Sequence, residues 1–156
     1  MIYKLSDYIP KHQTFVLRAS ELFALTDFIS EMHPNYLEWY WGKTIPRVLN
    51  KRGEIFFEEV NHEVIGILIA KKTTKQKKIC TFWVNEKFRK KGVGGRLLKR
   101  AIEYLETDKP LISIPENEVS SFEKIIENYH WTLVQTLEPD EYSSVREYLY
   151  NGKYYK

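Results

Sequence analysis

"FWVNEKFRKKGVGGRLLKRAIEYL", Phe82 to Leu105, decides how the rest of the chain is read. It joins an apolar, β-rich run to a helix-patterned one through three glycines set among cations. Glycine weakens helices and strands alike, so Gly92, Gly94 and Gly95 point to something that comes close to the backbone. A loop leading from a strand into a helix N-terminus is a ready anion site. Its free amides point outward, and the helix dipole favours negative charge. Leu97, Leu98, Ala101, Ile102 and Leu105 then share one apolar helical face.

Working outward from this loop, "EIFFEEV" and "VIGILIA" read as strands joined in a hairpin through Asn61 and His62, and "TTKQK" turns the chain into "ICTFWV". "TFVLRAS" (Thr14 to Ser20) reads as a first strand ending at Ser20, a helix N-cap residue type. Helical spacing of Leu22, Leu25, Ile29 and Met32 follows, and "NYLEWYWGKTIPRVL" reads as a second helical region broken near Gly42 and Pro46. Beyond the loop, "PLISI" is a short strand. Val119, Phe122, Ile125, Ile126 and Tyr129 line a helix, and "WTLVQTL" and "SVREYLYNGKYY" read as two last strands with a turn at Asn151-Gly152. Hairpins mixed with crossovers predict an α/β fold with a mixed, mostly antiparallel central sheet flanked by helices.

The chain has 156 residues, 43% of them hydrophobic and 15% aromatic, which fits a single domain over residues 1–156 and excludes a disordered chain. No run has the length of a signal peptide's apolar core or of a membrane span, and Cys80 is the lone cysteine. A cytoplasmic location is expected. The net charge is +3, with cations concentrated at Lys71 to Lys78, read as a solvated face, and at Lys87 to Arg100. The four His and one Cys are scattered, so no metal is expected.

Three anion-binding loops can be tested against the letters. A Walker loop at "GKT" (Gly42 to Thr44) would need glycine where Leu37 stands, and a dinucleotide fingerprint would need it at Leu97. The third pattern, Arg/Gln-x-x-Gly-x-Gly/Ala, is met by Arg89-Lys90-Lys91-Gly92-Val93-Gly94. With its strand, its helix and the order of elements from about Thr14 to Tyr150, the sequence resembles the GNAT superfamily of acyl-coenzyme A-dependent N-acetyltransferases.

That resemblance implies acetyl-coenzyme A as co-substrate and direct attack by a primary amine of a small molecule or peptide. It implies that Arg89, Lys90, Lys91, Gly92, Val93, Gly94, Gly95 and Arg96 hold the pyrophosphate. The strand before the loop would splay from "PLISI", freeing main-chain groups at Trp83 and Val84 for the pantetheine arm and the thioester carbonyl. Asn117, in the segment after "PLISI", either lines the cofactor or serves as a turn residue.

The family's usual tyrosine acid falls at Ile126, which leaves Tyr129 as the nearest substitute, either the acid or a packing residue. The base stays open between water and one of Glu58 and Glu59, which point to opposite faces; Lys78 cannot serve without a large pKa depression, Cys80 reads as a core residue and His33 as a turn residue. Tyr36, Trp39, Tyr40 and Trp41 form either an aromatic wall for the amine or part of the core. A monomer or homodimer is expected, with no nucleic-acid or membrane partner. Two rival readings are a catalytically weak acyl-coenzyme A sensor and a basic nucleic-acid-binding module.

Overall fold

A computed structural model describes residues 1–153. Its centre is one seven-stranded sheet in the order β1-β2-β3-β4-β5-β7-β6. The strands are β1 (Ile2–Lys4), β2 (Gly53–Val60), β3 (Glu63–Lys72), β4 (Lys77–Val84), β5 (Leu111–Pro115), β6 (Leu133–Leu137) and β7 (Glu147–Tyr150). Neighbours are antiparallel throughout except β4 and β5, which run parallel. The predicted mixed, mostly antiparallel sheet is therefore observed.

Alternation along the strands builds two cores. On β2, Phe56 faces the helix that follows the glycine loop, α4 (Val93–Leu105), while Ile55 and Phe57 face the opposite layer. That opposite layer holds α1 (His12–Thr26), α2 (Tyr36–Trp39) and α3 (Ile45–Leu49), and the short helix α5 (Glu123–Asn128) lies on the α4 side. The π-helical turn Tyr40–Thr44 links α2 to α3, where the sequence predicted a break. Asn61 and His62 both have positive φ, as a two-residue hairpin turn requires. Gly66 on β3 lets α4 pack against the sheet: a Cβ there would sit 2.7 Å from Val93 Cγ1 and 2.8 Å from Leu97 Cδ1. Among the described residues no helix is long and apolar enough to cross a membrane.

The first strand is misplaced in the sequence reading. Thr14 to Ser20 lies inside α1, and the strand at the sheet edge is Ile2–Lys4, paired with Phe56 to Glu58. The β-rich letters of "TFVL" concealed a helical period: Phe15, Ala19, Leu22 and Thr26 are buried, while Val16 and Leu17 face solvent. Ser20 is no N-cap, since its hydroxyl donates to the carbonyl of Val16 within the helix. At the other end β7 stops at Tyr150. The predicted continuation through Tyr154 and Tyr155 lies outside the described residues.

Candidate active site

The glycine loop leaves the sheet at the end of β4. Asn85 Oδ1 accepts from the Lys87 amide at 3.0 Å and starts a short 3₁₀ turn, Glu86–Phe88. Lys90 and Gly92 then adopt the left-handed region, with φ of 63° and 84°. Gly92 is the N-cap of α4 and has no side chain with which to satisfy the amides above it. The first intrahelical bond runs from Arg96 N to Gly92 O, so the amides of Val93, Gly94 and Gly95 precede the ladder. Val93 anchors this turn by burying its side chain in the core.

The fold itself favours glycine at 92, where φ is positive and a Cβ would sit 3.0 Å from Arg96 Nη1. It has no such preference at the next two glycines. A Cβ on Gly94 would meet the Phe82 ring at 3.7 Å, an ordinary contact, and one on Gly95 would meet nothing within 4 Å. Open amides on residues that need no glycine for packing are what an approaching phosphate would use. The cations divide their work. Arg96 donates to both carboxylate oxygens of buried Glu58, at 2.8 and 2.7 Å, and to the Lys91 carbonyl at 3.3 Å, tying the loop to β2. Arg96 accordingly holds the Glu58 carboxyl below the usual carboxylate range. Lys91 lies over the Phe88 ring, and Arg89 donates to the Val84 carbonyl at 3.4 Å.

Beyond Ile79 the sheet opens. The parallel pairing of β4 with β5 consists of Lys78 with Leu111 and Ile79 with Ile112 only, although β4 continues to Val84 and β5 to Pro115. A register shift sets Cys80 between the β3 partners Ile69 and Ala70, a bulge that re-aims the strand. The gap is occupied by a cavity of about 1240 Å³, lined on one edge by Ile79 to Val84 and on the other by Ile112 to Pro115. At the loop end it reaches Glu86 and Arg89. An extended chain laid between the two edges would meet unpaired main chain, and the loop amides would meet an anion at its end. These features fit the pantetheine and pyrophosphate of coenzyme A. Ser113 Oγ, on β5 in the gap, is sealed from solvent and has no partner among the described residues. Burial raises the Cys80 thiol above its ordinary pKa, against a nucleophilic role.

At its far end the cavity is built from distant segments. Phe28, Met32, His33, Tyr36 and Trp39 come from the α1–α2 region, and Tyr142 and Glu147 from the end of the chain. The Ser144 amide donates to the Met32 carbonyl at 2.9 Å and holds the two segments together. His33 Nδ1 is 3.2 Å from the Tyr142 carbonyl, an acceptor only, so Nδ1 carries the hydrogen. Nε2 then faces Glu147 Oε1 at 3.4 Å with its lone pair in the neutral form. Glu147, itself 8% exposed, stabilises the imidazolium and raises the His33 pKa above 6.5. An imidazole so placed takes a proton and has the resulting charge stabilised.

Of the residues nominated from sequence, Trp83, Val84 and Arg89 line the cavity, and Lys90 through Arg96 form the loop beside its mouth. Tyr129 does not line it; its ring packs on Trp131 with centroids 6.1 Å apart. Asn117 is exposed on the 3₁₀ segment Glu116–Phe122, and from that segment Glu118 and Phe122 line the cavity. The aromatic wall is halved. Tyr36 and Trp39 line the cavity, whereas Tyr40 is fully buried with its hydroxyl donating to the Ala19 carbonyl, and Trp41 packs on Phe23 and Tyr40.

Lys71 to Lys78 is not one solvated face either, since Lys71 and Lys78 turn into the cavity. Burial drives both ammonium groups below the ordinary lysine range. The sequence reading set His33 aside as a turn residue and did not consider Glu147. Nothing in the letters joins them, because their meeting depends on where β7 enters the sheet.

The model of the acetyltransferase (GNAT) family matches residues 17–120. No curated protein matches the sequence significantly. Solved structures share the fold at low identity. The IAA acetyltransferase from Bacillus cereus ATCC 14579 aligns over 96% of both chains at 16% identity with a TM-score of 0.59. The ribosomal-protein-S18-alanine N-acetyltransferase from Escherichia coli aligns over 64% of this chain and 68% of its own, at 13% identity and a TM-score of 0.52. A Bacillus anthracis str. Ames protein described as a streptothricin acetyltransferase, in complex with acetyl coenzyme A, aligns over 64% of this chain at 19% identity and a TM-score of 0.53. The match spans 61% of that protein's length, under two thirds. With two thirds of its length under the family model and this fold, the chain belongs to the GNAT acetyltransferase family.

Proposed function

We propose that the protein transfers the acetyl group of acetyl-coenzyme A to the primary amine of a small molecule or peptide, by direct attack in a ternary complex. The observation that carries this reading is the single cavity that runs through the β4–β5 gap. It runs from Glu86 and Arg89, where the glycine loop begins, to the His33–Glu147 pair. The main-chain amides of Val93, Gly94 and Gly95, with Arg89, Lys90 and Lys91, are suited to hold the pyrophosphate, and the Gly92 turn presents them. Arg96 keeps the loop on the sheet through Glu58. The edge of β4 that β5 leaves unpaired beyond Ile79, running to Trp83 and Val84, is suited to the pantetheine arm and to polarising the thioester carbonyl.

An alkyl ammonium with a pKa of about 10 attacks only after losing a proton. His33 Nε2 takes that proton, and Glu147 stabilises the charge. The amine nitrogen then bonds to the acyl carbon as the carbon–sulfur bond breaks. The nitrogen sheds its second proton, the departing thiolate gains one, and one proton is released overall. Tyr142, which lines the cavity beside His33, is suited to supply the thiolate's proton. The other cavity phenol, Tyr36, already donates to Thr26 Oγ1 at 2.7 Å, and burial pushes its pKa up to about 12. The test is thiol release from acetyl-coenzyme A over a panel of amines. Amine-dependent release with matching N-acetyl product is expected. Coenzyme A binding with no release above solvent hydrolysis would instead favour the sensor reading.

A further inference from the structure

The cavity wall farthest from the glycine loop carries cations that acetyl transfer does not use. Lys43 and Arg47 come from the π turn and α3, Lys71 comes from the end of β3, and all three line the cavity. They lie close enough together that the charges of Arg47 and Lys43 add to burial in disfavouring a charged Lys71. Elsewhere in this molecule Arg18 pairs with Glu59, Lys72 with Glu106 and Arg96 with Glu58. Among the described residues none of Lys43, Arg47 and Lys71 forms an ion pair with a carboxylate. Like charges gathered on a cavity wall repel one another, and an anion that joins them relieves the repulsion.

Of the carboxylates lining the same cavity, Glu86 stands at the glycine loop and Glu118 on the segment Glu116–Phe122, and the other three have work of their own. Glu147 faces His33, both oxygens of Glu138 accept from Arg146 Nε, and Asp140 accepts from the Tyr142 and Ser143 amides. The coenzyme's pyrophosphate does not account for the cationic wall. The glycine loop follows Val84, whereas Lys71 pairs with Lys78 at the other end of β4, roughly 20 Å away along an extended strand.

We propose that the acceptor is a small amine that also carries an oxyanion, a carboxylate or a phosphate, with the oxyanion bound by Lys43, Arg47 and Lys71 and the amine facing His33 and Glu147. The inference rests on the acetyltransferase reading and narrows its substrate class. An arginine fork beside two ammonium groups suits either oxyanion. Glu147, beside His33, suits the ammonium end of the same molecule.

The test compares matched acceptors that differ only in the anion: 4-aminobutyrate with its amide, alanine with alaninamide, and 3-aminopropyl phosphate with propylamine. At least one anionic member should exceed its neutral partner in kcat/KM by tenfold or more, and the carboxylate and phosphate arms separate the two oxyanions. In Arg47→Gln/Lys71→Met that advantage should disappear through the acceptor KM, with the KM for acetyl-coenzyme A unchanged and folding checked by thermal melting. Neutral members used as well as anionic ones would overturn the inference and leave the transferase reading standing. If no amine is acetylated, the transferase reading fails, and the wall is still tested by binding. Inorganic phosphate added to protein saturated with coenzyme A should raise Tm in the wild type and not in the double variant. An equal response in both would overturn the cationic site.

Discussion

The two ends of β4 solve different problems with different parts of the chain. At the C-terminal end the anion site is local: one unbroken stretch from Val84 to Arg96 supplies the strand end, the left-handed turn at Gly92 and the first amides of α4. At the N-terminal end the cavity is assembled from α2, the π turn, α3, β3, β4 and β7, residues far apart in sequence. Backbone amides form the first site, so many side chains could change without loss. Side chains form the second, so each substitution changes what can bind. An invariant cofactor matched by backbone and a variable acceptor matched by side chains would produce this division.

The largest effect that could break the comparison lies at the far end. His33→Gln should lower kcat by roughly 10²-fold or more while leaving coenzyme A affinity intact, and Tyr142→Phe should do likewise if it supplies the thiolate's proton. The pH profile sharpens the assignment. Glu147 raises the His33 pKa, so the base form appears only as pH rises through a value above 6.5. Glu147→Gln should therefore move the rising limb of kcat/KM to lower pH. In the wild type the same pair contributes stability that is complete below about 6.5. That contribution is lost as pH rises through the elevated folded value. An unmoved limb in Glu147→Gln would remove His33 as the base.

A smaller effect belongs to the loop end. Coenzyme A at a hundredfold excess over Kd should stabilise the protein by about 2.7 kcal/mol, and Gly94→Glu should abolish this. Space at Gly94 admits a Cβ at ordinary contact distance, so the variant should remain folded. Thermal melting with and without ligand reads the result, and an unchanged ligand response would put the coenzyme elsewhere. The smallest effect is expected at Tyr129, which packs on Trp131 outside the cavity. Tyr129→Phe should change kcat by no more than about twofold, since a phenol away from the reacting atoms contributes no proton. A hundredfold loss would return the acid to Tyr129.

The same division explains what could be read from the letters. The glycine loop, the Asn61–His62 hairpin and the order of the last six strands were legible because each depends on neighbours in sequence. Thr14 to Ser20 misled because β-branched and aromatic residues there sit in a helix whose burial repeats at Phe15, Ala19 and Leu22. The splay between β4 and β5 was legible only through resemblance, as no local letter marks where pairing stops after Ile79. His33 with Glu147, and Lys71 with Arg47, were not legible at all. Tertiary contact alone makes them neighbours, and in sequence His33 is a turn residue before a proline and Lys71 one more lysine in a basic run.

The central claim is that coenzyme A lies on the free edge of β4 with its phosphates on the first turn of α4. Amide hydrogen exchange, measured with and without coenzyme A, tests it directly. Protection should rise at Thr81 to Val84 and at Val93 to Gly95, where main-chain groups await partners, with little change along β2. Unchanged exchange at both segments under saturating coenzyme A, or protection confined to another part of the sheet, would contradict the account.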